Sequence, residues 1–407
     1  MAHISPFKAV RPARDKVGLV GSRSYLTYSQ NELEARLNYN PYTFLHVIKP
    51  ELHEGQRKEL TRDQRFNLVK DGYSYFKEMG IFKQDAEACY YVYRQTKGTA
   101  IFTGLVAGVA VSDYTSGHVK IHEQTITSRE KIFEEYLRRT GFNAEPVLLA
   151  YPDRASLTQV MDDVAQERPE YEFTTTDMVL HEMWMVSDPT LMDVITKEMA
   201  AVNDVYIADG HHRSASSALL AKDKKGEKGP WDNFMSLLLP QSQLKIYDFN
   251  RVVKGLNGMS KNQFVAKLSE SFDVEKTASI HMPKHRGNFS MYLDNQWYSL
   301  DAKPQFIVDS VVGRLDSSVL TDQVLHPLLG ISDLKTDKRI SFIDGTNGLH
   351  PLADAVDSGL NDVAFALYPV EFDQLQEVAD TGNIMPPKTT WIEPKLRSGV
   401  LIYELDL

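Results

Sequence analysis

Residues 205–220 read Val205-Tyr-Ile-Ala-Asp-Gly-His-His-Arg-Ser-Ala-Ser-Ser-Ala-Leu-Leu220, which predicts a short apolar strand, a sharp turn and a helix. That order is typical of phosphate-binding sites, because the first N–H groups of a helix have no intrahelical acceptor and point toward an anion. Gly210 has no Cβ, so a ligand can approach the backbone closely. Arg213 adds a planar fork that can bind two phosphate oxygens. The turn therefore predicts binding of a phosphorylated small molecule.

The same turn also has a purely structural interpretation. In that interpretation Asp209 caps the helix, and His211 and His212 are exposed by chance. Several functional side-chain types around one glycine favour phosphate binding.

The bulk properties narrow the class of protein. The chain has 407 residues, 42% of them hydrophobic, and a net charge of −10. Such an acidic chain is a poor binder of phosphate backbones, so we expect no nucleic acid partner. Its single cysteine, Cys89, excludes a disulfide framework and fits a reducing compartment. We expect a cytoplasmic protein with no membrane partner, because apolar runs such as Leu105–Val111 are too short to span a bilayer. No feature of the sequence sets the oligomeric state.

Strands and helices mix along the chain without clean βαβ alternation. This favours an α+β fold with a mixed sheet over a doubly wound fold. Among the local predictions are a helix over Gln56–Gly80, an amphipathic helix over Thr127–Arg139 with Ser128 as a possible cap, and a closing strand over Gly399–Glu404.

A second candidate site is Lys120-Ile-His-Glu-Gln-Thr125. His122 and Glu123 follow a predicted strand, where a side chain can project into a cleft, and Glu123 could act as a general base. The alternative is an exposed strand end. His118 and His122 share a strand face, but no Cys or His pair elsewhere completes a zinc site, so we discount one.

A third candidate is Met385-Pro-Pro-Lys-Thr-Thr390. The two prolines stiffen the backbone, and Lys388, Thr389 and Thr390 then form a compact donor cluster suited to a phosphate or carboxylate. The alternative is a proline-braced turn before the last strand. Two further segments are interpreted as structural. Asp344–Gly348 has the residues of a tight turn, and no mechanism follows from the spacing in Asn40–Glu51.

The three candidates, taken in order, resemble those of the archaeal free L-serine kinase, a member of the ParB–sulfiredoxin superfamily. The matching residues are His122-Glu123-Gln124, Asp209–Arg213 and Pro387-Lys388-Thr389-Thr390. Over nearly its full length the chain is also similar to the bacterial family called domain of unknown function 1015. Asn40–Val47, Tyr91–Gln95 and Tyr206–Arg213 carry that similarity.

The resemblance implies a ParB/sulfiredoxin-like α+β core with a mixed sheet, an added N-terminal region and insertions. The expected ranges are a family-specific region over 1–99, a nucleotide-binding core over 100–240, and a C-terminal α+β region over 241–407 that completes the substrate site.

The implied activity is phosphoryl transfer from ATP or ADP to the hydroxyl of free L-serine, with Mg²⁺, giving O-phosphoserine. The implied catalytic residues are Glu123, as acceptor of the serine proton, and Asp209, near the metal or the serine amine. The other implied roles are phosphate binding by Gly210, His211, His212 and Arg213, and substrate binding by His122, Lys388, Thr389 and Thr390.

One departure from the kinase lies directly after the two threonines. The kinase has Arg-His there, whereas this chain has Trp391 and Ile392. Two other functions stay open on the sequence. One is a nucleotide-sensing regulator of the same superfamily, and the other is a metal-dependent phosphohydrolase with Asp209, His211 and His212 as ligands.

Overall fold

A computed structural model describes residues 1–55, 60–224 and 226–405. The chain forms two compact units, each with its own sheet and core. Unit 1 comprises Met1–Lys120, Thr125–Leu244 and Pro394–Leu407, and unit 2 comprises Ile121–Gln124 and Lys245–Glu393. The three expected ranges, 1–99, 100–240 and 241–407, stay a prediction.

The strands are short to medium in length and are spread over the whole chain. In chain order they are β1 (Ile4–Ser5), β2 (Val10–Pro12), β3 (Phe82–Gln84), β4 (Tyr90–Lys97), β5 (Ala100–Ala110), β6 (Val119–Lys120), β7 (Phe142–Asn143), β8 (Val147–Tyr151), β9 (Tyr171–Thr174), β10 (Val179–Val186), β11 (Val205–Asp209), β12 (Asn233–Pro240), β13 (Lys245–Val253), β14 (Phe272–Thr277), β15 (Asn288–Leu293), β16 (Gln296–Ala302), β17 (Ile340–Asp344), β18 (Val363–Ala366), β19 (Thr390–Glu393) and β20 (Tyr403–Glu404).

The α-helices alternate irregularly with these strands. They are α1 (Val17–Val20), α2 (Gln30–Tyr39), α3 (Leu45–Ile48), α4 (Arg62–Glu78), α5 (Val111–Thr115), α6 (Thr127–Thr140), α7 (Ala155–Val164), α8 (Pro189–Ala200), α9 (His211–Asp223), α10 (Lys261–Ser271), α11 (Asp316–Leu320), α12 (His350–Asp357) and α13 (Phe372–Asp380). Each of those in the described residues falls short of the length and apolarity that a bilayer crossing needs.

Unit 1 is built on a mixed sheet that has nine strands within the described residues. Its order is β6-β11-β8-β12-β5-β4-β10-β9, with β1 paired to β5. The β11–β6 and β12–β8 pairs are parallel and the others are antiparallel. Leu157 and Met161 of α7, with Ile195 and Met199 of α8, pack into the core of this sheet. Burying each such side chain contributes about 1.5–3 kcal/mol. The predicted α+β class with a mixed sheet is confirmed.

Unit 2 contains a second sheet, in which neighbouring strands are antiparallel throughout the described residues. Its order is β14-β16-β15-β18-β13-β17, and β19 pairs with the first half of β13. Phe264 and Leu268 of α10, and Val319 and Leu320 of α11, are buried in its core. The long strand β13 therefore contacts three other strands and connects the sheet to the Lys-Thr-Thr segment.

Local chemistry explains where several elements begin and end. Helix α4 starts at a capping box, in which the Thr61 hydroxyl accepts from the Gln64 N–H and the Gln64 side chain accepts from the Thr61 N–H. It lies within the predicted Gln56–Gly80 helix, of which residues 56–59 are outside the described residues. Helix α6 confirms the amphipathic prediction, although Ile126, rather than Ser128, precedes its first residue.

The predicted closing strand is shorter than expected. Within the described residues Tyr403–Glu404 pairs with β7, and Ile402 forms an isolated antiparallel bridge with Val10. Gly399 interrupts the predicted strand with a φ of +81°, and a Cβ there would lie 2.6 Å from Cγ of Phe44. The backbone has to pass this aromatic ring closely, which only glycine allows.

Candidate active site

The Asp209–Arg213 turn, predicted to bind phosphate, lies at the end of β11 in unit 1. The pairing of β11 with β8 shifts register between Ile207 and Asp209, which marks a β-bulge. Gly210 then adopts a left-handed φ of +107°, and α9 begins at His211. The predicted strand, turn and helix are confirmed. The capping interpretation of Asp209 is wrong, because Gly210 occupies the N-cap position and no side chain caps this helix.

Arg213 explains why the turn contains a glycine. A Cβ on Gly210 would lie 2.7 Å from Nε and 2.9 Å from Nη2 of Arg213. The Arg213 guanidinium therefore packs directly against the backbone of Gly210, in the space that a side chain would otherwise fill. A positively charged fork is held directly beside the first amides of α9, where an anion is favoured.

Four charged side chains form a linked network around this guanidinium. Arg213 Nη1 makes an ion pair with Glu145, and its Nη2 lies 3.6 Å from Oδ1 of Asp209. Asp209 Oδ2 lies 3.8 Å from Nζ of Lys395, and the Ser398 hydroxyl donates to Glu145 over 3.3 Å. Two carboxylates thus balance two cations. Sequence reasoning missed Glu145, Lys395 and Ser398, because all three are brought to the turn by tertiary structure.

This network keeps the arginine charged in a half-buried setting. Burial alone would lower the pKa of Arg213, but Glu145 and Asp209 raise it above its ordinary value. The Arg213 side chain is 18% exposed, whereas those of Glu145 and Asp209 are 35% and 42% exposed. The acidic partners are therefore accessible enough for an incoming phosphate to take their place.

The two histidines of the turn differ in environment. His211 is 4% exposed, and the ring of His212 lies 6.4 Å from that of Phe133 on α6. Burial lowers the pKa of His212, and Arg129 lowers it further. Among the described residues, Asp209, His211 and His212 do not form a cluster whose ligand atoms lie within 4.8 Å of one another. Consecutive helical side chains point in different directions, which weakens the phosphohydrolase interpretation.

In unit 2 the His-Glu segment joins the proline-rich segment through the backbone. The Met385 N–H donates to the His122 carbonyl over 2.8 Å. His122 is 1% exposed, and burial lowers its pKa to about 4, so its imidazole is neutral at pH 7. Glu123, the next residue, is exposed. The structure thus brings together two of the three predicted segments, although they are far apart in the sequence.

The Lys-Thr-Thr segment has an unusual local geometry. Lys388 has a left-handed φ of +59°, which is uncommon outside glycine and often occurs at functional sites. Its ammonium lies 4.9 Å from the centre of the Phe249 ring, a cation–π contact. Thr389 is buried, donates to the Pro386 carbonyl over 2.7 Å and lies 3.0 Å from the Ser317 hydroxyl. The Thr389 contacts hold the backbone of the segment, and the Lys388 ammonium rests on the Phe249 ring.

The departure at Trp391 also has a structural role. Its ring meets Phe249 edge to face, with centroids 5.6 Å apart and an interplanar angle of 80°. Its Nε1–H donates to Glu393 over 3.2 Å. Phe249 is therefore a common platform for Lys388 and Trp391. The tryptophan supports the segment that carries the lysine.

A buried arginine on β13 was not predicted from the sequence. Arg251 is 0% exposed, and its Nη1 donates to the Phe249 carbonyl. Its Nε and Nη2 have no hydrogen-bond partner among the described residues. Burial lowers the pKa of Arg251 to about 10, with Asp248 and Asp316 opposing the shift. Such orphaned donors cost free energy unless a ligand satisfies them.

Asp316, at the start of α11, is the second unexpected polar residue of unit 2. Its Oδ1 accepts from the Gly287 N–H over 2.9 Å, and its Oδ2 has no partner among the described residues. Burial raises the pKa of Asp316 to about 7. Asp316 directly precedes Ser317, whose hydroxyl lies 3.0 Å from that of Thr389 in the predicted substrate segment.

The Asp344–Gly348 segment forms the tight turn that the sequence predicted. Asp344 accepts from the Thr346 N–H over 3.2 Å. A Cβ on Gly345 would lie 2.1 Å from Oδ1 of Asp248, so this position of the turn has no room for a side chain. Asp248 is itself paired with Thr390 across β13 and β19.

Asp209 has the chemistry that a magnesium ion requires. Its carboxylate oxygens lie 3.6 Å and 3.8 Å from the two neighbouring cations, which is longer than a direct hydrogen bond. Mg²⁺ is usually bound by one or two carboxylates together with substrate phosphates. The Asp209 carboxylate therefore fits a Mg²⁺ ion that enters with a nucleotide.

Most of the chain, including the turn at Gly210 and the His-Glu segment, lies in a stretch that matches a known family. The model of the family described as protein of unknown function (DUF1015) matches residues 4–318. The chain belongs to the DUF1015 family. The predicted family resemblance is confirmed, and the DUF1015 match includes both the His-Glu segment and the Asp209–Arg213 turn.

Several solved structures are similar to this DUF1015 chain, at low identity. A free serine kinase in complex with AMP has 17% identity and a TM-score of 0.37, covering 74% of this chain and 91% of that one. A mutant of the kinase in complex with ADP has the same identity, TM-score and coverage. SbnI with a C-terminal truncation, from Staphylococcus aureus, has 11% identity and a TM-score of 0.38, covering 71% and 82%. Curated proteins offer no match to the DUF1015 chain.

Proposed function

We propose that this protein is a phosphotransferase that moves a phosphoryl group from ATP or ADP to the hydroxyl of free L-serine. In this step the serine oxygen forms a bond to the terminal phosphorus of the nucleotide. The bond from that phosphorus to the bridging oxygen breaks, and the hydroxyl proton passes to Glu123. The products are O-phosphoserine and a nucleotide shortened by one phosphate.

One observation carries the proposal more than any other. The hydrogen bond from Met385 to His122 joins the segment that bears Glu123 to the segment that bears Lys388. Both segments belong to the motif order that resembles a serine kinase. A general base on one segment, hydrogen-bonded through the backbone to a segment that carries an ammonium and two hydroxyl groups, would suit an acceptor site for a small amino acid.

Phosphate binding is assigned to unit 1. The first amides of α9 and the Arg213 guanidinium would hold the phosphates, displacing Glu145 from the arginine. Phosphoryl transfer depends mainly on positioning and on stabilisation of charge, which are the properties that this turn supplies. Mg²⁺ held by Asp209 would neutralise charge on the phosphate oxygens.

Serine binding is assigned to unit 2. Lys388 and Thr390, together with the buried Arg251, would bind the serine carboxylate. Arg251 would thereby replace the arginine that the resembled kinase has directly after its threonines, where this chain has Trp391. Its Nε and Nη2 form the fork that matches a carboxylate.

The test is an assay of the full chain with Mg²⁺, ATP or ADP, and a panel of hydroxyl amino acids, scored for the phosphorylated product. We expect O-phosphoserine from the wild type. Glu123→Gln should lower transfer by about 10²–10⁴-fold, because a general base contributes that much, and should leave ADP affinity unchanged.

The matched control is Glu275→Gln, which removes an exposed carboxylate on β14 of the same unit. It should retain full activity. Full activity in Glu123→Gln would contradict the assigned role of that residue. Nucleotide binding without any phosphorylated product would instead favour a nucleotide-sensing regulator.

A further inference from the structure

An apolar cavity lies within unit 1, next to the phosphate-binding turn. Its volume is about 290 Å³, near the lower end of the range for small-ligand pockets. The N-terminal region forms one wall, including Phe44 and Ile48, and helix α6 forms another, including Ile132 and Phe133. The cavity therefore draws on the Asn40–Glu51 segment, to which the sequence assigned no role.

Aromatic rings dominate the lining of this cavity. Phe66 and Tyr136 both line it, and their rings meet edge to face with centroids 5.4 Å apart. Tyr25 lies at the exposed side, with the Lys49 ammonium 4.2 Å from its ring centre. Flat aromatic faces of this kind stack favourably on heteroaromatic bases.

The cavity and the phosphate-binding turn share a residue. Arg213, in the first turn of α9, lines the cavity together with its ion-pair partner Glu145. Ser216, one turn further along α9, also lines it and donates to the Arg213 carbonyl over 3.0 Å. One ligand with an aromatic ring system and an anionic tail would satisfy both features.

We propose that this cavity binds the base and ribose of the nucleotide whose phosphates occupy the Asp209–Arg213 turn, an inference that rests on the proposed function. The Phe66, Phe133 and Tyr136 rings would contact the base. Glu145, Asn143 and Ser398 would offer polar groups to the ribose hydroxyls or to the base edge. The DUF1015-specific N-terminal region thereby gains a role in recognising the nucleotide.

The test compares two ligands on the full-length protein by isothermal titration calorimetry: ADP, and tripolyphosphate as a probe of the turn alone. Ile132→Trp places a large ring in the cavity. We expect it to weaken ADP binding by at least tenfold and to change tripolyphosphate binding by less than twofold. Retained tripolyphosphate binding also shows that the variant is folded.

The matched control is Val194→Trp, which adds the same ring to the partly exposed face of α8, remote from the cavity lining. It should bind both ligands like the wild type. Equal ADP affinity in Ile132→Trp and Val194→Trp would overturn the cavity assignment.

A second variant covers the case in which Ile132→Trp fails to fold. Tyr25 is 39% exposed on a short 3-10 turn, so Tyr25→Ala should fold normally. Tyr25 also lines the cavity, at its exposed side, so loss of its ring should weaken ADP binding about tenfold and leave tripolyphosphate binding unchanged. Unchanged ADP affinity in this variant would overturn the cavity assignment.

The assay separates this inference from the proposed function. O-phosphoserine formation together with normal ADP binding in the cavity variants overturns the cavity assignment alone. Loss of ADP binding in those variants, with no phosphorylated product from the wild type, supports the cavity and overturns the kinase. A wild type that binds no ADP overturns both.

Discussion

The two units hold their key arginines in opposite electrostatic settings. Arg213 of unit 1 is paired with Glu145 and Asp209, which raise its pKa against the effect of burial. Arg251 of unit 2 is completely buried, and two of its nitrogens have no partner among the described residues. Arg213 is held in ion pairs, whereas two nitrogens of Arg251 lack a hydrogen-bond acceptor among the described residues, although Asp248 and Asp316 act on its charge.

This difference suggests how the two proposed binding sites divide specificity. A paired, partly exposed cation exchanges one anion for another at small cost, so it accepts the phosphates of different nucleotides. A buried donor that is left unsatisfied costs about 1–3 kcal/mol, so it discriminates strongly for the ligand that completes it. Selection of the nucleotide that donates the phosphoryl group would therefore be loose in unit 1. Selection of the molecule that accepts it would be strict in unit 2.

The largest expected effect follows from removing the buried cation. Arg251→Met should lower serine-dependent turnover by about a hundredfold, because truncating a buried charge partner costs about 2–5 kcal/mol of binding. The Tm should stay level or rise, because an orphaned buried charge is replaced by an apolar side chain of similar length. Kinetics and calorimetry on the same samples measure both quantities.

The control for this variant is Arg314→Met, which breaks an exposed ion pair with Glu377 in the same unit. It should change neither turnover nor Tm appreciably. A marked fall in Tm for Arg251→Met, together with normal turnover per folded molecule, would make Arg251 a structural residue and remove the contrast with Arg213.

The next largest effect is the dependence of folding stability on pH, which has opposite signs for one buried group in each unit. In unit 2 burial raises the pKa of Asp316 from 3.8 to about 7, so the folded protein keeps a proton that the unfolded chain releases. This group therefore costs stability as the pH rises from about 4 to 7. In unit 1, the pKa of His181 is lowered from 6.5 to about 3, mainly by burial and to a smaller extent by the positive charge of Arg397. Its contribution to stability is lost as the pH falls below about 6.5.

Two substitutions isolate these contributions. Asp316→Asn should gain Tm relative to the wild type as the pH increases, and His181→Gln should gain as the pH decreases. The slope is at most about 1.4 kcal/mol per pH unit within each window. Calorimetry from pH 4.5 to 8 gives the two difference curves. Parallel curves for the two variants would contradict the assigned directions.

The sequence predicted the strand, turn and helix around Gly210 correctly, because their logic is local. An apolar run, a glycine and a helix start are neighbours in the chain, and each follows from short-range chemistry. Glu145 and Lys395 could not be predicted, since long-range contacts deliver them to Arg213 and Asp209.

Unit 2 was harder to predict for the same physical reason. Arg251 follows Asn250 on a strand that mixes polar and apolar residues without regular alternation, and an arginine is ordinarily expected at the surface. Its burial depends on β17 and β18, which pair with β13 from later in the chain. The hydrogen bond from Met385 to His122 likewise depends on the tertiary fold alone.

The smallest expected effect comes from adding a Cβ at Gly210, next to the Arg213 guanidinium. Gly210→Ala should weaken tripolyphosphate binding about fivefold, because the new Cβ would lie 2.7 Å from Nε and displace the guanidinium. Gly141→Ala is the matched control, since Gly141 also has a positive φ, +76°, and open space around its Cβ position. Both variants should lose about 1–2 kcal/mol of stability to left-handed strain. Only Gly210→Ala should lose affinity, because only there does the methyl group meet Arg213, the residue proposed to bind the anion. Equal affinities in the two variants would mean that Arg213 does not hold the phosphate, and that the amides of α9 act alone.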